Sequence, residues 1–227
     1  MSKKTKQNGF GTFGGVFTPN ILTILGIILF LRTGWVVGNA GMINALIMAL
    51  IANAITFLTA LSLSGIATNI RVQTGGAYYM ISRSLGAEIG GSIGIPLYLS
   101  QAISVAFYLI GFAEAFHGIF PQYDPVHVAS ITCLLFAIVA LIGADVAIKI
   151  QYFILATLVL ALISFFTGGT ERDLSLHLMP DYTEGHHFWS VFAIFFPAVT
   201  GIMSGISMSG DLKQPERSIP RGTLLSV

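Results

Sequence analysis

Six apolar stretches, over residues 17–38, 42–64, 87–113, 126–143, 148–168 and 188–209, alternate with short segments that hold most of the charged side chains. Each is near the roughly 20 residues that carry a helix across the hydrocarbon core of a bilayer, the fourth being a little short. Repeated runs of this length predict an all-α membrane protein, since a helix satisfies its own backbone polar groups where lipid cannot. Composition agrees. The 227 residues are 54% hydrophobic and 9% charged, with a mean hydropathy of +0.81, whereas about a quarter of the residues of soluble chains are charged. The basic residues ahead of the first stretch do not make it a cleaved leader. It is too long for a signal-peptide core and holds Arg32 near its end, so it reads as a retained first span.

Charge placement predicts orientation. With a cytoplasmic N-terminus, nine of the eleven basic residues (Lys3, Lys4, Lys6, Arg71, Arg83, Lys149, Lys213, Arg217 and Arg221) face the cytoplasm. Short cytoplasmic loops carry such an excess. Arg32 lies near an outer helix end, and Arg172 in an outer loop with Glu171, Asp173, Asp181 and Glu184. Between the second and third spans, Gly75-Gly76 punctuates the longest cytoplasmic connection, and AYYMISRSLG is expected to form an interfacial helix. Lys213 to Arg221 reads as a charged loop in which Pro215 and Pro220 stop helices, followed by the start of a seventh span. The single Cys133 supports no disulfide framework and is expected to be a small packed hydrophobe. Basic residues are scattered among loops, so no nucleic-acid partner is expected.

The sixth stretch is unusual. FFPAVTGIMSGISMSG, residues 195–210, crowds Pro197, Thr200, Gly201, Ser204 and Gly205 into a membrane helix. Pro197 lacks an amide hydrogen, and Gly201 and Gly205 lower the cost of unwinding. Two readings stand open. Gly201-x-x-x-Gly205 is a spacing for close helix packing. A break would instead expose carbonyls that, with the Thr200 hydroxyl, suit a cation, and amides of Gly201, Ile202 and Met203 that suit an anion. In the first span only Thr23 and Gly26 interrupt bulky side chains, so a break over residues 22–28 becomes plausible as the counterpart of the sixth. Arg32 and Glu114 share an outer depth, and either snorkelling to the headgroups or pairing explains them. Tyr108 lies about 9 Å deeper than Glu114 by helical rise. It either packs in the core or against lipid, or sends a hydroxyl into the middle of the protein.

Two inverted five-helix repeats are a common plan for transporters with broken helices, the site lying between the first helices of the repeats. Here TILGIILFL (23–31) and TGIMSGISM (200–208) echo one another as first and sixth spans. The blocks NILTILGIILFLRTGWVVGNAG, GIATNIRVQTGGAYYMISRSLGAEIGG, FYLIGFAEAF and FFPAVTGIMSGISMSGDLKQPERSIPRGTLL, in this order, resemble the first half of the cation-chloride cotransporter family, within the amino acid–polyamine–organocation superfamily. The resemblance implies the first five-helix repeat plus the first helix of the second, with broken first and sixth spans. The expected parts are a cytoplasmic tail (1–16), the first repeat (17–168), an extracellular loop (169–187), and a sixth span, cytoplasmic loop and start of a seventh span (188–227).

Carried over by position, the resemblance implies a potassium site of the carbonyls around Thr23 and Ile24, the Tyr108 hydroxyl, the Pro197 carbonyl and the Thr200 carbonyl or hydroxyl. One chloride would meet the amides of Gly26, Ile27 and Ile28, and a second those of Gly201, Ile202 and Met203. Leu22 and Leu25 fall on two carbonyl positions of a sodium site whose serine-bearing helix is not in the chain. Arg32 and Glu114 fall on the outer gate pair. The chain departs from the family where Thr23, Ile24 and Leu25 replace Asn, Ile and an aromatic residue, which alters support around the site rather than the carbonyls themselves.

The expected function is secondary active cotransport of chloride with potassium, with or without sodium, by alternating access, and not enzymatic catalysis. Uptake of opposite charges together lowers the cost of taking either from water. The alternative is an amino acid or organic-cation permease of the same superfamily. A channel is disfavoured, since no repeated carbonyl filter is present. Apart from the transported ions no cofactor is expected. Expected partners are the lipid bilayer of the cell or plasma membrane, the remaining C-terminal transporter spans, and a second copy in a homodimer.

Overall fold

The computed structural model describes residues 9–70, 72–168, 177–183 and 185–227. Lys3, Lys4, Lys6, Arg71, Glu171, Arg172, Asp173 and Glu184, on which part of the orientation reading rests, lie outside the described residues. The described elements are helical apart from one isolated bridge between Phe10 and Leu212. A π-turn at Phe13–Phe17 runs into α1 (Thr18–Ile24), which gives way at Leu25 and Gly26 to α2 (Ile27–Asn69). At 43 residues α2 would extend about 65 Å, twice the hydrocarbon thickness. Gly41 divides it. With φ 72° and ψ 162° it departs from helical geometry, and a Cβ there would lie 2.6 Å from the Leu178 carbonyl oxygen. The first and second spans are therefore the two arms of α2, the first continued across the break by α1.

The expected interfacial helix is α3 (Gly76–Leu85), framed by Gly75 and Gly86 at positive φ. It buries Ala77 and Met80 and leaves Tyr78 exposed. Then come α4 (Ala87–Ile119), α5 (Pro125–Ile142) and α6 (Ala144–Thr167). At the start of α5 the Asp124 carboxylate accepts the amides of Val126 (2.9 Å) and His127 (3.2 Å), and Pro125 fits the first turn because its missing amide hydrogen would be orphaned there anyway. The His127 amide above all, with that of Val126, holds the Asp124 carboxyl below its usual range. No described residue of α5 is fully buried. Cys133 lies exposed on it, contrary to the packed role expected, because the described chain buries no face of this helix and leaves its apolar surface uncovered.

The sixth span is α7 (Phe188–Phe195), a 3₁₀ turn (Phe196–Val199), a gap, and α8 (Met203–Ser207); α9 (Pro215–Ser226) follows. The reading of Pro215 and Pro220 as helix stops is corrected here. Pro215 starts α9, where its fixed φ suits the first turn, and Pro220 is carried inside it. The helix survives this proline because Ser218, Ile219, Gly222, Thr223 and Ser226 form one buried face. That face lies on the chain's own beginning. Thr12 donates to Ser218 (3.2 Å) and Asn20 to Ser226 (3.1 Å), each pair 206 residues apart, and Gly222, at the same offset from Val16, leaves no room between that side chain and its own backbone. Matching steps of four along both helices make them parallel. Within the expected tail, Gly14, Gly15 and Val16 are buried, and the Phe10–Leu212 bridge extends the contact.

Two apolar clusters hold the ends. Val16, Ala67, Val72, Ala77, Met80, Ile206, Leu212 and Ile219 close the end that carries α3 and the start of α9. Val36, Ala40, Met48, Ala52, Val191, Phe195, Ala198 and Val199 join both arms of α2 to α7. Between the clusters lie the two breaks.

Candidate functional site

At the first break, Leu25 takes φ −78°, ψ 39° and Gly26 takes φ −81°, ψ 179°. The Leu25 amide still donates to Ile21 O (2.8 Å), and the Leu29 amide closes on Gly26 O (3.2 Å). Among the described residues no hydrogen bond takes the carbonyls of Leu22, Thr23 and Ile24 or the amides of Gly26, Ile27 and Ile28. The break therefore presents a partly negative carbonyl end and a partly positive amide end within one turn.

The second break repeats this arrangement in the sixth span. Thr200 is extended (φ −88°, ψ 155°) and Gly201 has φ 148°, a region that favours glycine. The Ser204 amide closes on Gly201 O (3.1 Å), as Leu29 does on Gly26. The amides of Gly201, Ile202 and Met203 have no hydrogen-bond partner among the described residues. The non-helical backbone is confined to Thr200 and Gly201, since Ile202 has already returned to helical dihedrals (φ −60°, ψ −16°) ahead of α8. Carbonyls before this gap are less free than those of the first break. Pro197 O accepts both the Thr200 amide (3.3 Å) and the Thr200 hydroxyl (2.8 Å), and Val199 O accepts the Thr56 hydroxyl (3.3 Å).

The breaks abut. A Cβ on Gly201 would lie 2.9 Å from Thr23 Cγ2 and 3.1 Å from the Ile24 amide nitrogen, so only a bare backbone permits this approach. One turn on, Thr23 Oγ1 and Ser204 Oγ stand 2.8 Å apart. Thr23 gives its proton to Pro19 O (2.8 Å), so Ser204 is the donor to Thr23. Below them Asn20, fully buried, accepts the Gly205 amide on Oδ1 (2.8 Å). From the other side α4 presents Tyr108 and Gly111. The Tyr108 ring edge comes 3.3 Å from the place of a Gly26 Cβ, and Ile27 Cγ2 stands 3.2 Å from that of a Gly111 Cβ.

Thr23, Ile24, Gly26, Ile27, Tyr108, Gly201 and Ile202 are thereby gathered around one locus, with Leu22 and Leu25 in the same broken turn. No hydrogen bond joins Tyr108 to Thr200 among the described residues, and the Thr200 hydroxyl is turned onto Pro197. Arg32 and Glu114 line one cleft of about 60 Å³ with Ile27, Ile28 and Gly111, yet no ion pair joins them among the described residues. Their common depth was legible, and the structure holds them as unpaired neighbours. Asn20, Thr56 and Ser204 went unnoticed as support for the site. A primary amide inside an apolar run was the available signal for Asn20, since a buried polar group needs partners.

Comparison with known proteins accords with this architecture. The amino acid permease family matches residues 15–227. Solute carrier family 12 member 1 from Homo sapiens is 38% identical over 254 residues, covering 100% of this chain and 23% of that protein. Member 9 from Danio rerio is 37% identical over 277 residues, 99% of this chain and 31% of that protein, and member 2 from Homo sapiens 38% over 242 residues, 96% and 20%. The chain thus spans between about a fifth and a third of the length of these relatives. These matches bear out the resemblance drawn from the four sequence blocks. With nearly its whole length matched, the chain belongs to the amino acid permease family.

Proposed function

We propose that the complete transporter containing this chain carries chloride together with potassium by alternating access, in the plasma membrane and with a cytoplasmic N-terminus. One observation carries the reading: two helix breaks, both offering free amides and the first also free carbonyls, abut through Gly201 and Thr23 with Tyr108 at their edge. Opposite ions held side by side relieve each other's desolvation, which a lone buried ion cannot do. The carbonyls of Thr23 and Ile24 with the Tyr108 hydroxyl make the potassium side, joined by Pro197 and Thr200 once the Thr200 hydroxyl turns from Pro197 to the ion. Gly26, Ile27 and Ile28 take one chloride, and Gly201, Ile202 and Met203 a second. The carbonyls of Leu22 and Leu25 offer sodium part of a site that the remaining spans would complete. Arg32 and Glu114 close the adjoining cleft by pairing when access from their side ends.

The full-length protein in proteoliposomes is expected to take up rubidium, standing in for potassium, only when chloride is present. Amino acid exchange indifferent to chloride, without rubidium flux, would instead establish the permease alternative.

A further inference from the structure

An uninterrupted sixth span needs the Gly201 amide on Pro197 O, the Met203 amide on Val199 O and the Gly205 amide on Gly201 O, as in any α-helix. In each pair one partner already makes another bond, and for the Gly205 amide, which has a single proton, that bond is exclusive, whereas a carbonyl oxygen can accept a second. Pro197 O is taken by Thr200 itself. Val199 O receives the hydroxyl of Thr56 from the second span (3.3 Å), a proton shared with Ala52 O (3.1 Å). The Gly205 amide is given to Asn20 of the first span (2.8 Å). Asn20 cannot turn its amide round. Ser226 Oγ donates to Thr223 O (2.8 Å) and so must accept from Asn20 Nδ2, which leaves Oδ1 facing Gly205. Thr56 is 6% exposed and Asn20 0%, so water does not compete for either bond.

We infer that Asn20 and Thr56 are positioning residues that hold the sixth-span break open from outside that span, and so set the affinity for the ions it takes up. Small residues at 200, 201 and 205 make unwinding inexpensive, but they do not forbid a helix. Asn20 does, because the Gly205 amide has one proton to give and gives it outside the ladder, and the Thr56 hydroxyl adds to this by stabilising the direction in which the Val199 carbonyl now points. Without them the span re-forms helical pairs for part of the time, and ions bind only the fraction that stays open. Apparent dissociation constants for both ions then rise by the same factor, the inverse of that fraction. Turnover at saturating ions changes little, because the ions draw the break open again.

This rests on the proposed ion cotransport, and its test separates the two. In proteoliposomes holding the full-length transporter, Thr56→Val should raise the half-saturating concentrations of rubidium and of chloride alike, by about fivefold for one lost hydrogen bond. Maximal flux should change less than about twofold, and Thr56→Ser, which keeps the hydroxyl, should restore both values. Asn20→Leu should act in the same direction; if it does not reach the membrane, the Thr56 pair decides. Wild-type affinities in Thr56→Val, or the same defect in Thr56→Ser, overturn the positioning role. A wild-type protein without chloride-dependent rubidium flux overturns the cotransport reading itself, and this role with it.

Discussion

Gly201→Ala in the complete transporter is expected to reduce ion flux by about a hundredfold while the protein still reaches the membrane. Two costs combine. At φ 148° a side chain is strained by about 1–3 kcal/mol, and the added Cβ meets Thr23 Cγ2 at 2.9 Å, Thr23 Cβ at 3.0 Å and the Ile24 amide nitrogen at 3.1 Å. Thr23 has little room to yield, since its hydroxyl is tied to Pro19 and Ser204. Relief must come from parting the two breaks, which separates the carbonyls of one from the amides of the other. Gly118→Ala is the control: that position has open space where a Cβ would go, and flux should stay near wild type. Purified protein in proteoliposomes, compared at equal protein content, reads the difference. Normal flux in Gly201→Ala would mean that close approach of the breaks is dispensable.

Tyr108→Phe is expected to raise the half-saturating rubidium concentration by about tenfold or more, leaving the amount of folded protein unchanged. Among the described residues no hydrogen bond uses the Tyr108 hydroxyl. The ring keeps its place beside Gly26 and its edge contact with Phe107, at 6.4 Å between centroids. What is lost is an oxygen ligand to a cation, an interaction worth about 1.5–3 kcal/mol. Rubidium titration of flux at saturating chloride measures the effect, and an unchanged half-saturation would remove Tyr108 from the cation site.

Much of this was legible in the sequence because membrane helices are long and apolar. The spans follow from run length and the helix α3 from the glycines that frame it, while Pro197, Gly201 and Gly205 marked the sixth span without deciding between a break and close packing. The first break was different. Leu25 and Ile27 are ordinary helix residues, and Gly26 was pointed to by the echo between spans one and six and by the family resemblance rather than by local pattern. Pro215 and Pro220 misled, since a proline's effect depends on whether it falls in a first turn and on what the helix face then buries. Least legible were Asn20 and Thr56, whose partners lie 185 and 143 residues away. Contacts of that reach depend on helix register across spans, which a local pattern does not hold. The packed start of the chain was missed for the same reason, its partner being α9.

If abutting breaks bind opposite charges together, each ion must strengthen the other, and by the same factor, since coupling between two bound ligands is reciprocal. The decisive measurement is the binding of rubidium to the purified full-length transporter across a series of chloride concentrations, repeated for chloride across a series of rubidium. Tightening in both directions, equal in size and of about tenfold or more, is the predicted result. Dissociation constants for rubidium that do not respond to chloride would contradict a shared site at the two breaks.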